Sequence, residues 1–135
     1  MTERKKRILI VDDEPDVTFT LKKGLEQEGF QIDISNDPLE ALSYFKADQY
    51  DMLLLDVNMQ KLNGFELYRE LEKIDNTVKI CFITAFEFYY DEFRRVFSKL
   101  NVRCFARKPI AIDDLAKILK EELHQYEARD SSFSQ

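Results

Sequence analysis

Two cysteines, one histidine, three prolines and three glycines are all that this 135-residue chain holds of those residue types, and each scarcity excludes something. Two cysteines cannot build a disulfide scaffold. Cys81 and Cys104 both fall inside strand-like apolar runs, so the expectation is a pair of reduced core thiols in a cytoplasmic protein, with no disulfide between them. The lone His124 lies beyond the last helical core pattern with no catalytic partner in view, and is not expected to carry chemistry. No internal linker and no repeat is visible. No apolar run approaches the roughly 20 residues of a membrane-spanning helix. The charged N-terminus lacks the form of a signal peptide and leads straight into a strand. Positive charge is also short: 20 Lys and Arg stand against 26 Asp and Glu, a net charge of −6. General nucleic-acid affinity is therefore not expected. The basic run Arg4-Lys5-Lys6-Arg7 has no interleaved aromatics and reads as a solvated leader. What remains, 44% hydrophobic and 34% charged residues, suits one globular domain with a proper core.

Strand and helix patterns alternate five times. Strands are expected at about Arg7–Val11, Phe30–Ser35, Asp51–Leu55, Val78–Ile83 and Val102–Arg107. The first helix opens near Pro15, buries Val17, Leu21 and Leu25, and ends at Gly29. The second is capped by Asn36 or Asp37, with Pro38 in its first turn and Leu42 and Phe45 inward. The third follows Gly64 and carries Phe65, Tyr68 and Leu71. The fourth lies within Tyr90–Leu100, and the fifth starts near Asp113 with Leu115, Ile118, Leu119 and Leu123 inward. Residues 1–128 make the domain, and the polar segment 129–135 is expected to fray. Strands 1, 3 and 4 are nearly all apolar, as strands covered on both faces should be. Strands 2 and 5 interleave Gln31, Asp33, Arg103 and Arg107, and so belong at the edges. With right-handed crossovers the order becomes 2-1-3-4-5, an α/β doubly wound parallel sheet of the flavodoxin-like kind.

Four of these apolar runs stop at polar residues. RILIV stops at Asp12-Asp13, DMLLL at Asp56, KICFI at Thr84, and RCFAR at Lys108 followed by Pro109. In a parallel sheet all four stops share the carboxyl edge, where open α/β folds bind ligands. Two like charges about 4 Å apart repel by about 4 kcal/mol at an effective dielectric near 20. Three gathered carboxylates therefore call for a compensating cation or raised pKa values. Few, hard oxygen ligands with room for water and phosphate oxygens favour Mg²⁺. A carboxylate beside Mg²⁺ is a nucleophile toward a phosphoryl donor, with Lys108 offsetting charge and Thr84 donating to a phosphate oxygen. Each residue alone has a blander reading: acids at a helix start, a loop carboxylate, a strand-end threonine, a Lys-Pro turn. Four separate strand ends coinciding is the specific signal.

The segments VDDEP, LLLDVNMQKLNGFEL, ITAF and RKPI resemble the receiver domain of two-component response regulators, and the resemblance spans about residues 6–125. It implies that Asp56 accepts a phosphoryl group from a histidine kinase or phosphotransfer protein. It implies Mg²⁺ held by Asp13 and Asp56 directly, by Asp12 through water and by the backbone carbonyl of Asn58. Thr84 becomes the switch hydroxyl, Lys108 the phosphate-pairing lysine, and Lys108–Pro109 a cis peptide. The strand order of this family is a known case of the switch-point rule, so it is not an independent result. Phe105 stands at the switch-aromatic position, where tyrosine is frequent, and switching there rests on packing alone. Phe86 and Asn58 border the path of water onto the acyl phosphate, and Phe86 is expected to shield it in part. The aromatic stretch Phe86, Phe88, Tyr89, Tyr90 is a candidate docking surface. Phosphorylation is expected to reshape the face made by the fourth helix, fifth strand and fifth helix for an unidentified downstream protein or a second copy of the chain. No effector domain is read after the fifth helix, so the chain either acts alone or is part of a longer one. A phosphorylation-independent pseudo-receiver is the alternative, and the intact Asp13, Asp56, Thr84 and Lys108 weigh against it. A haloacid-dehalogenase-like phosphatase would need a D-x-D motif after strand 1, where this chain has adjacent aspartates.

Overall fold

The computed structural model describes residues 4–85 and 104–133, with side chains through residue 124 in the last helix. Strands β1 (Arg7–Val11), β2 (Gln31–Ser35), β3 (Met52–Asp56), β4 (Lys79–Thr84) and β5 (Cys104–Arg107) form one parallel sheet. Their order is β2-β1-β3-β4-β5, as the polarity of the runs requires. The edge assignments follow from exposure: Gln31 and Asp33 of β2 and Arg107 of β5 face solvent, whereas every residue of β3 is buried. Helices α1 (Pro15–Gln27), α2 (Pro38–Tyr44) and α3 (Gly64–Ile74) and the C-terminal helix (Ile112–Phe133) complete the described architecture. The fourth helix expected within Tyr90–Leu100 lies outside the described residues, as do Phe86, Phe88, Tyr89, Tyr90, Val102 and Arg103. No helix among the described residues is long and apolar enough to cross a membrane.

Local chemistry sets the helix limits. Pro15 occupies the first turn of α1, where a missing N–H costs nothing. Gly29 leaves the helix at φ 99°, a conformation side chains disfavour. Asp37, rather than Asn36, caps α2 by accepting from Leu39 N–H. Asn63 and Glu66 form a reciprocal capping box at the start of α3, both bonds at 2.9 Å. These caps matter because α2 and α3 begin at the sheet edge that carries the polar stops.

The sheet separates two apolar cores. On one face, Ile8, Ile10, Leu54 and Ile83 pack with Leu21 and Leu25 of α1 and Leu115 and Leu119 of the C-terminal helix. On the other, Leu9, Leu53, Leu55 and Phe82 pack with Ala41 of α2 and Leu67, Tyr68 and Leu71 of α3. Burying each such side chain contributes about 1.5–3 kcal/mol.

One expectation is corrected. Cys81 and Cys104 are not separate thiols: they stand opposite each other in register on β4 and β5, with Cα atoms 4.5 Å apart, and their sulfurs are bonded. Both point into the same core, so the pairing depends on the register of β5, which composition does not state. The C-terminal helix runs to Phe133, into the polar segment that begins at Arg129.

Candidate functional site

The carboxyl edge of the sheet gathers the residues singled out above. Asp56 is the last residue of β3 and Thr84 the last of β4; they are 3% and 1% exposed. Asp12 follows β1 and is fully buried, its N–H donating to Ser35 O at 3.1 Å. Lys108 follows β5 and turns back over the edge, its N–H donating to Thr84 O at 2.8 Å. The Lys108–Pro109 bond is cis, as expected.

The carboxylates are held by distinct partners. Asp12 accepts at Oδ1 from Glu14 N–H (2.9 Å) and at Oδ2 from the Lys108 ammonium (2.6 Å). Asp13, half-buried, accepts from the backbone N–H of Gln60 at 3.1 Å. Asp56 accepts from Asn58 N–H at 3.3 Å, and its other oxygen lies 3.7 Å from Lys108 Nζ. Lys108 thus leans toward Asp12 while remaining within reach of Asp56. One oxygen from each of Asp12, Asp13 and Asp56 falls within 4.8 Å of the others. Hard oxygen donors in that number, with no nitrogen or sulfur among them, fit a hard divalent cation that keeps part of its water shell.

Burial pushes the Asp56 carboxyl up to about 7, and the neighbouring charge of Asp12 pushes the same way; Lys108 and the Asn58 N–H hold it down. Burial also works to lower the Lys108 ammonium, but its hydrogen bond to Asp12 and the charge of Asp56 prevail, so its pKa is raised. The site therefore holds a permanent cation beside a carboxylate near its titration point.

Asn58 is exposed at the start of the loop after β3. Phe105 is partly buried against the core that contains Phe82 and Tyr68. Phe86 lies outside the described residues. Three contributors were missed from sequence. Asn36 donates to Asp12 O and to the buried Thr18 hydroxyl, both at 2.8 Å. Gln60 supplies the N–H on Asp13, and Lys61, at φ 73°, pairs with Asp37 at 2.6 Å, tying the loop after β3 to the start of α2. A signal for Asn36 was present: β2 also stops at polar residues, at the same edge. The backbone donor of Gln60 has no sequence signal. A separate cleft between β2 and α2, lined by Ile34, Tyr44, Phe45 and Tyr50, contains none of these residues.

Comparison with known proteins agrees with this geometry. Residues 8–120 match the model of the response regulator receiver domain. The chain is 34% identical over 121 residues to the sensor protein EvgS of Escherichia coli K12, covering 90% of this chain and 10% of that protein. It is 42% identical over 79 residues to the transcriptional regulatory protein CpxR homolog of Haemophilus influenzae, covering 58% of this chain and 34% of that one. The chain thus spans a tenth to about a third of the length of these relatives. Among solved structures, a receiver domain protein (CheY-like) from Methanospirillum hungatei aligns with a TM-score of 0.83 at 25% identity, over 93% of this chain and 99% of that one. The response regulator TrrA of Thermotoga maritima, solved in complex with Mg²⁺-BeF, aligns with a TM-score of 0.74 at 34% identity, over 86% and 97%. A five-stranded sheet in this order, a lysine and three aspartates at its carboxyl edge, and a match over most of the chain have one reading: the chain belongs to the response regulator receiver domain family of two-component, phosphorylation-dependent signalling.

Proposed function

We propose that Asp56 is the phosphoryl acceptor of this domain. The observation that carries the reading is the position of its carboxylate: 3% exposed, at the end of the central strand, between an acidic pair and an ammonium. In the ionised form an Asp56 oxygen attacks the phosphorus of a phosphohistidine. The P–N bond breaks, the imidazole keeps the electron pair and takes up a proton, and an acyl phosphate remains on Asp56. Lys108, already within reach of Asp56, would pair with a phosphoryl oxygen, and the Thr84 hydroxyl would donate to another. Asp12, Asp13 and Asp56, with the backbone carbonyl of Asn58, would hold Mg²⁺. Bound there, the cation supplies positive charge that offsets the carboxylates and the transferring group. The donor class is a histidine kinase or phosphotransfer protein, and the product state is read by a downstream protein on the side of β5 and the C-terminal helix. The chain would assist both its own phosphorylation and its own dephosphorylation.

The test is intact-mass analysis after exposure to acetyl phosphate and Mg²⁺. Wild type should gain one phosphoryl group and Asp56→Asn none; equal labelling of both would sink the assignment.

The ligand role of Asp13 has its own expected result. Asp13→Ala should weaken Mg²⁺ by about tenfold or more, since even partners of ligands matter at that scale. Without the cation the variant should be no less stable than wild type, because a like charge has left the cluster. Thermal unfolding followed across a Mg²⁺ titration measures both. An equal stabilisation of variant and wild type by Mg²⁺ would remove Asp13 from the ligand set.

A further inference from the structure

We infer that Gly64 is a positioning residue for the acceptor Asp56, an inference that rests on the acceptor reading above. Gly64 is the first residue of α3, and its N–H donates to Val57 O at 3.0 Å. A β-carbon placed on Gly64 would stand 2.5 Å from the carbonyl oxygen of Asp56, 3.0 Å from Val57 Cα and 3.1 Å from the carbonyl carbon of Asp56. These are backbone atoms, and no rotamer change can move them aside. The demand is for space, since the φ of Gly64 is not in the left-handed region.

The helix cannot easily retreat. The capping box of Asn63 and Glu66 fixes its start, Phe65 packs edge-on against Phe82 with ring centres 4.9 Å apart, and Leu67 and Leu71 are fully buried. A side chain at position 64 would therefore press on the peptide that carries the nucleophile. Asn58, whose N–H holds the Asp56 carboxylate, lies one residue beyond the displaced Val57. The absence of a side chain lets α3 seat the end of β3, and with it the direction of the Asp56 carboxylate. In-line transfer is sensitive to such displacement, at about a hundredfold in rate per ångström.

The experiment compares wild type, Gly64→Ala and Asn63→Ala. Asn63→Ala removes a cap from the same helix without pressing on Asp56. Labelling rate against acetyl phosphate concentration, at fixed Mg²⁺, is read by intact mass beside the thermal midpoint of each protein. Asn63→Ala should lose stability and label as wild type does. Gly64→Ala should stay folded and label about tenfold more slowly at saturating donor, with the half-saturating concentration little changed. Three results would overturn the inference: wild-type rates in Gly64→Ala, equal slowing of both variants, or an unfolded Gly64→Ala beside a folded Asn63→Ala, which would make the contact a requirement of the fold alone. An unlabelled wild type would instead reject the acceptor reading, and this inference with it.

Discussion

Asp56→Asn should do two things at once: abolish labelling, and stabilise the Mg²⁺-free protein increasingly as pH rises. The Asp56 carboxyl is pushed up to about 7 by burial and by Asp12, from an ordinary 3.8. A folded-state pKa above the unfolded value means that folding favours the protonated acid. Its stability contribution is present in full below about pH 4 and is lost as pH climbs through about 7. The loss amounts to at most about 4 kcal/mol above that range. Asparagine keeps the shape without the charge and escapes this cost. Urea unfolding in a chelating buffer should show variant and wild type nearly equal at pH 4, and the variant several kcal/mol more stable at pH 8. Excess Mg²⁺ should narrow the gap. Parallel stability profiles across that range would mean that Asp56 is not strained by its surroundings.

Lys108→Met should have the opposite sign. The ammonium lies 2.6 Å from Asp12 and 3.7 Å from Asp56, and both carboxylates are almost wholly buried. Removing it leaves the fully buried Asp12 without its cation, and breaking a buried pair from one side costs about 3–5 kcal/mol. The expected loss at pH 8 without Mg²⁺ is therefore about 3 kcal/mol. It should shrink as pH falls below about 7, where Asp56 takes a proton, and be partly restored by Mg²⁺. Labelling of Asp56 by acetyl phosphate should persist at a reduced rate, because Lys108 assists the phosphoryl group and is not the nucleophile. A loss below about 1 kcal/mol would place the pair in the range of exposed ion pairs.

The strand ends were legible because each is marked twice, by an apolar run and by the polar residue that stops it. The edge positions of β2 and β5 were legible because Gln31, Asp33 and Arg107 cannot be covered on both faces. What stayed hidden depends on register or on backbone atoms. The bond between Cys81 and Cys104 follows from two strands lying in step, which neither strand encodes alone. The preference of Lys108 for Asp12 is a matter of ångströms between two available carboxylates. Gln60 contributes a backbone N–H and Gly64 a clearance, neither of them a side chain of its own, so residue type carried no signal for the first and only a general one for the second. The shielding role given to Phe86 and the docking role given to Phe88, Tyr89 and Tyr90 fall outside the described residues.

Division of the interior by the sheet has a consequence for how the sequence can drift. Leu25 belongs to one core and Leu71 to the other, and both are fully buried. Each truncated to alanine should cost about 2–5 kcal/mol, and because they lie in separate apolar clusters among the described residues the double variant should cost close to the sum. Substitutions on one side are thus nearly blind to those on the other, and the two layers can accumulate changes as independent lineages. Among the described residues coupling returns at the carboxyl edge, where Asp12, Asp56, Thr84 and Lys108, from four different strand ends, are tied to one another. Epistasis in this domain should therefore concentrate in a few charged positions rather than in its oil.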